Sequence, residues 1–178
     1  MTTDLDPPSD AISADAISAL TEAFGPLSLT MLTETDLSPA WRISFLANFF
    51  TGPIYARIQE RYGLSRPGFV ILFSLSQQDG LVARDICLVT GLPKNSISRA
   101  VTELEIEELI VRDTDAADRR AKPLNLTTRG RALLDEVVPL FEARQQAMLA
   151  ALDEAEAAEF NRLMNKVVFA MPSWVQPI

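Results

Sequence analysis

Over most of the chain, apolar residues recur every three or four positions, the spacing of one face of an α-helix. Ile12, Ala16, Leu20 and Phe24 form the first such stripe, which Gly25-Pro26 closes. Residues 27–38 fit a short helix or a loop equally well. The stretch 40–61 predicts a long helix, bent at Gly52-Pro53. Its apolar residues, among them Trp41, Phe45, Phe49, Ile54 and Ile58, cover more than one face, so it should meet more than one neighbour. Gly63 can end it, and Ser65 can cap a further helix that runs to about Leu75.

The pattern then shortens. Asp79-Gly80 predicts a turn, followed by a short helix through 82–88 that closes at Gly91. Pro93 suits the first turn of the next helix, 93–107, whose Ile97, Ala100, Val101 and Leu104 share one face. Two extended pieces, 109–113 and 123–127, flank the charged connector TDAADRRAK and predict a hairpin with an exposed tip. A long helix starts at Thr127 or Thr128 and runs towards Leu152, with a bend expected at Pro139. Asp153 and Glu156 have the spacing of a capping box and open a last amphipathic helix through Phe160, Leu163, Met164, Val167 and Val168. The fold class is therefore mainly α, a winged helix-turn-helix with a small β-hairpin wing and helical regions at both termini.

Composition narrows the function. The 178 residues suggest one domain with an attached arm at 1–10, and a hydrophobic fraction of 48% can form a core. The absence of histidine excludes a His-based catalytic triad, a His-containing zinc site and an imidazole pH switch. One cysteine allows no intrachain disulfide framework, which fits a reducing cytoplasm. The start, MTTDLDPPSD, is acidic where a secretory leader is basic, and runs such as FVILF at 69–73 are too short to span a bilayer. A soluble cytoplasmic protein without a membrane partner is expected. There is no P-loop, no G-x-S-x-G and no metal-ligand spacing, so neither an enzyme nor a cofactor is expected.

The informative block is 81–131. Projected at 100° per residue, Asn95, Arg99 and Thr102 lie opposite Ile97, Val101 and Leu104, with Ser98 on the flank. Short polar side chains and one arginine suit base edges and phosphates in a major groove. The hairpin tip, Arg119-Arg120-Ala121-Lys122, suits a phosphate ridge or an adjacent minor groove. For these arginines, ion pairs with Asp115 and Asp118 on a solvated surface are the competing reading.

The segment DTDAADRRAKPLNLTTRG at 113–130, with the preceding helix-turn-helix and E-R-Y-G-L at 60–64, resembles the MarR (multiple antibiotic resistance regulator) family. The wing matches the family pattern D-x-x-D-x-R, then a strand, then L-T and G, and the resemblance extends over about 40–170. It implies a winged-helix homodimer with interlocking terminal helices, and a regulator whose DNA affinity often changes with a small molecule or oxidant. Carried onto this chain, Arg120 is the wing-tip arginine, Asp118 helps to orient it, and Asp115 is the first acidic position of the wing. Lys94, Asn95, Ser96, Ser98, Arg99, Thr102, Asp118, Arg119 and Arg120 are the expected DNA-binding residues. The resemblance implies three regions: an N-terminal extension at 1–39, a helical dimerisation region at 40–64 and 128–172, and a DNA-binding lobe at 65–127. Glu107-Glu108 replace the glycine usual before the first wing strand, where a residue can need the left-handed conformation that glutamate adopts poorly. Pro93 stands where a Ser or Thr cap is common.

The expected function is a transcriptional regulator, a repressor that binds a pseudo-palindromic operator as a homodimer and is released by a small-molecule effector. The alternative is a winged-helix protein-interaction module without sequence-specific DNA binding, which Glu103 and the acidic balance favour slightly. Trp41, Phe45, Phe49, Tyr55, Phe69 and Phe73 are candidates to line a pocket for a small aromatic or amphipathic effector, although core packing and dimer burial explain the same residues. Cys87 sits among apolar residues as a buried thiol would, and it does not match the cysteine of the peroxide-sensing branch. Glu103, Glu105, Glu107 and Glu108 read as a solvated helix end. The formal charge of −8 is unevenly spread: residues 81–131 hold nine Lys/Arg and eight Asp/Glu, a net +1, leaving −9 for the rest. Acidity therefore lies outside the expected reader and does not exclude DNA.

Overall fold

The computed structural model describes residues 12–113 and 122–175. The chain forms two units, Met1–Phe49 and Phe50–Ile178.

In the first unit, Ser13 caps α1 (Ala14–Phe24), its Oγ accepting from the Ala16 N–H at 3.2 Å. Gly25 takes a φ of 82°, and Pro26 opens α2 (Pro26–Thr33), so the ambiguous stretch after Gly25 is largely helical. Glycine enters that region freely, and proline at the first helical position forfeits no hydrogen bond. α3 (Ser38–Tyr62) begins in this unit, and its Phe45 and Phe49 meet Phe24 at ring separations of 5.1 and 4.8 Å. Arg42 Nε donates to the Leu32 carbonyl at 2.8 Å and satisfies an acceptor at the end of α2.

The second unit contains the rest of α3, then α4 (Arg66–Gln77), α5 (Ala83–Thr90) and α6 (Lys94–Ile106). Strands β1 (Ile110–Arg112) and β2 (Leu124–Leu126) follow, then α7 (Thr128–Leu149), α8 (Glu154–Phe169) and α9 (Met171–Trp174). Ser65 caps α4 through the Gly68 N–H, and Gly91, at φ 66°, ends α5. Pro93 is the cap of α6, one residue outside the helix. Helices α3 and α7 continue through Pro53 and Pro139, where the sequence predicts bends. Both halves of the Asp153/Glu156 capping box form, at 2.8 and 2.9 Å. The core joins Ile58 of α3, Ile71, Leu72 and Leu75 of α4, Ile86 of α5, Ile97 of α6 and Val137 of α7, all essentially inaccessible. Among the described residues no helix is long and apolar enough to cross a membrane.

The wing root is built with few residues. β1 and β2 pair antiparallel, with Ile110 opposite Leu126 and Arg112 opposite Leu124. Leu124 also donates to the Leu81 carbonyl at 2.9 Å, so the segment before α5 adds a short third edge. α6 ends in a Schellman motif: Leu109 N–H reaches the Leu104 carbonyl at 2.9 Å, and Glu108 N–H the Glu105 carbonyl at 3.1 Å. That motif needs a left-handed residue, and Glu108 supplies it at φ 57°. Here glutamate occupies the backbone conformation that a glycine adopts cheaply.

Thr127 and Gly130 lock α7 to this turn. Thr127 Oγ1 lies 2.8 Å from the Glu108 carbonyl and 3.0 Å from that of Leu109, and it accepts from the Gly130 N–H at 2.9 Å. A Cβ on Gly130 would lie 2.1 Å from the Leu109 oxygen, so only glycine permits this approach. Relief of the left-handed strain by Glu108→Gly is expected to raise the unfolding free energy by about 1 kcal/mol, visible as a rise of several degrees in a thermal melt. Gly130→Ala is expected to lower it by about 2 kcal/mol or more, because backbone must move. A Glu108→Gly protein that melts no higher than the parent contradicts the strain at this turn.

Candidate nucleic-acid interface

α6 is two-faced for a simple reason. Its apolar residues fall at helical spacing, so Ile97, Ala100, Val101 and Leu104 are buried together and the remaining positions face outward. Lys94, Asn95, Ser98, Arg99 and Thr102 are exposed, and Ser96 is half-buried. Thr102 Oγ1 donates to the Ser98 carbonyl at 3.2 Å, which holds its side chain along the helix. Pro93 offers no side-chain acceptor, so the first N–H groups of α6 and the positive end of its dipole are left without a side-chain cap.

The arginines around this face are mostly engaged. Arg112 grips Glu105 as a two-pronged fork, Nε to Oε1 and Nη2 to Oε2, both at 2.7 Å and both side chains about two-thirds buried. Arg129 lies 3.8 Å from Glu107, Arg131 3.8 Å from Asp79, and Arg84 3.9 Å from Asp85. Among the described residues neither Lys94 nor Arg99 has an ion pair. The acidic end of α6 is thus more than a solvated terminus. Glu105 ties β1 to the helix, and Glu108 shapes the turn between them. The fork joins residues seven apart across a chain reversal, a spacing for which no local rule pairs side chains. Asp115, Asp118, Arg119 and Arg120 of the wing tip lie outside the described residues.

The candidate effector residues fall into two sets. Phe45 and Phe49 pack with Phe24 in the first unit, where Trp41 is partly exposed. In the second unit Phe69 stacks between Phe73 and Phe141, at 5.7 and 4.4 Å, and Tyr55 meets Phe69 and Phe141 edge-on. Phe141 completes this group. It follows Val137 by one helical turn, a spacing that does not say which neighbour it meets. The Arg66 guanidinium lies 5.5 Å from the centre of the Tyr55 ring. Burial pushes the Tyr55 phenol above its ordinary pKa, against the opposing pull of Arg66, so it is a neutral group at pH 7. Cys87 is half-buried against the core.

Comparison with known proteins gives a consistent picture. A sequence model of the MarR family matches residues 62–121. An HTH-type transcriptional repressor of Mycobacterium tuberculosis is 30% identical over 105 residues, which are 59% of this chain and 76% of the relative. Its structure, solved in complex with salicylic acid, aligns with a TM-score of 0.59 at 25% identity, over 72% of this chain and 94% of that one. A MarR-family transcriptional regulator of Silicibacter pomeroyi aligns with a TM-score of 0.64 at 25% identity, over 80% of this chain and 97% of its own. A Listeria monocytogenes protein solved with a 26mer DNA shares the fold alone, at 20% identity and a TM-score of 0.67, over 73% of this chain and 86% of that one.

The Arg112–Glu105 fork is expected to couple wing and helix energetically. In a double-mutant cycle with Arg112→Ala and Glu105→Ala, urea unfolding should report a coupling of about 1 kcal/mol. Strict additivity would show that the fork holds nothing together.

Proposed function

Since the chain belongs to the MarR family of transcriptional regulators, we propose that it is a repressor that binds a pseudo-palindromic DNA operator as a homodimer and is released by a small aromatic effector. The observation that carries this reading is the outer face of α6. Lys94 and Arg99 stand there without ion pairs among the described residues, while the four described arginines elsewhere in the helix-turn-helix and wing block each have a carboxylate. Asn95, Ser98 and Thr102 supply donors and acceptors of a size that fits base edges, and Arg99 suits guanine or a phosphate. Lys94, Ser96 and the N-terminal end of α6 suit the DNA backbone. Arg119 and Arg120 would take the wing role that the family resemblance implies, with Asp118 helping to orient Arg120.

Dimerisation has its own motive. α8 exposes Leu163, Met164, Val167, Val168 and Phe169, and among the described residues no side chain of α8 is buried. A second copy that covers this stripe removes the apolar surface from water and sets two recognition helices about 34 Å apart, one turn of DNA. For release, the Tyr55–Phe69–Phe73–Phe141 group beside Arg66 suits an aromatic carboxylate, the chemistry of the salicylic acid bound by the mycobacterial relative. Such a ligand acts by favouring a dimer whose recognition helices no longer match the groove spacing.

In a mobility shift with its operator, Arg99→Ala is expected to weaken binding tenfold or more, about 1–3 kcal/mol if the residue reads a base. Arg162→Ala, whose guanidinium pairs with Glu159 on α8, is expected to leave DNA affinity within twofold. Retention of full affinity and salt slope by Arg99→Ala removes α6 from the interface. Light scattering at micromolar concentration is expected to give a dimer, and a stable monomer would end the operator geometry as well.

A further inference from the structure

A groove of about 570 Å³ opens at the C-terminal half of α6, and nothing in the proposed DNA or effector reading uses it. Three parts of the second unit build it: the corner between α3 and α4, the last turns of α6 and the first turns of α7. Its floor is apolar and buried, formed by Leu64, Gly68, Ala100, Leu104 and Leu109. Its rim is acidic, with three exposed carboxylates, Glu103, Glu107 and Glu136, against one guanidinium, Arg129.

The four rim charges are not equivalent. Arg129 sits 3.8 Å from Glu107 and offsets it. Among the described residues Glu136 receives a neutral hydrogen bond, from the Tyr62 hydroxyl at 3.2 Å, and has no ion pair. Glu103 has no ion pair among the described residues. The rim therefore keeps two uncompensated negative charges above a floor that favours hydrocarbon, in a volume typical of small-molecule sites. An aromatic carboxylate, suited to the ring group beside Arg66, is repelled here.

We infer that this groove binds a small amphiphilic cation, an ammonium head on an aromatic or alkyl body, with the head between Glu103 and Glu136 and the body on the Leu64–Leu104 floor. The site is separate from the proposed effector group and does not depend on DNA binding.

The test is a calorimetric titration of the full chain with 2-naphthylmethylammonium and, in parallel, with 2-naphthylacetate, which carries the opposite charge on the same ring system. The ammonium is expected to bind at least tenfold more tightly than the acetate. The surface double variant Glu103→Gln/Glu136→Gln should lower ammonium affinity about tenfold, and Ala132→Phe, which fills the groove from α7, should abolish binding. Phe69→Leu, in the ring group, should leave ammonium affinity unchanged. The inference is overturned if no ammonium binding is seen to millimolar concentration, or if the acetate binds equally well. It also fails if the double Gln variant stays within twofold of the parent, or if Phe69→Leu removes the binding instead.

Discussion

The contact on which the second unit turns is the carbonyl of Leu109 lying against the first turn of α7. That oxygen receives the Thr127 N–H at 3.1 Å, has the Thr127 hydroxyl at 3.0 Å, and faces a glycine that has no side chain to hold it off. Three directions are set at this point. α6 ends there, β1 leaves from there, and α7 departs along a line fixed by its own cap. The burial of Ile97, Val101 and Leu104 sets the roll of α6, so its polar face is oriented by hydrophobic contacts that no base or phosphate touches. The polar face of α6 and the wing root are thereby held to each other through one peptide group, and Arg112–Glu105 adds a second strut.

Charge follows the same economy. Most of the described arginines near α6 are occupied by carboxylates of their own lobe, which leaves Lys94 and Arg99 as the cations of its outer face. A chain with net charge −8 can then present a local positive surface without a basic overall composition. In the proposed reading these two cations would carry part of the attraction to DNA, and the short polar residues beside them would read base edges. Glu103, exposed at the edge of this face, would oppose a phosphate brought close to it.

Much of this was legible in the residues. The helical stripes, the Asp153/Glu156 box, the glycine stops and the two faces of α6 follow from periodicity and cap chemistry, which are local. The substitution of Glu107-Glu108 for a glycine pointed to a left-handed position, and Glu108 occupies it. α2 was ambiguous because its apolar residues scarcely segregate to one side, so periodicity had little to grip. The prolines at 53 and 139 interrupt neither helix, and each has flanking residues anchored in the core at Ile54, Ile58, Leu134 and Val137. Non-local pairings were out of reach: the Arg112–Glu105 fork, and Phe141 stacked on Phe69. Trp41, Phe45 and Phe49 fall in the first unit and Tyr55, Phe69 and Phe73 in the second, an assignment that residue type alone does not carry.

The shared Leu109 carbonyl also bears on how this protein can change over generations. Thr127 and Gly130 both act through the same oxygen, so once either is replaced and that oxygen shifts, much of what the other contributed is already gone. Their effects must combine less than additively. Once one of the two is replaced, replacing the other is therefore expected to cost less than it would alone.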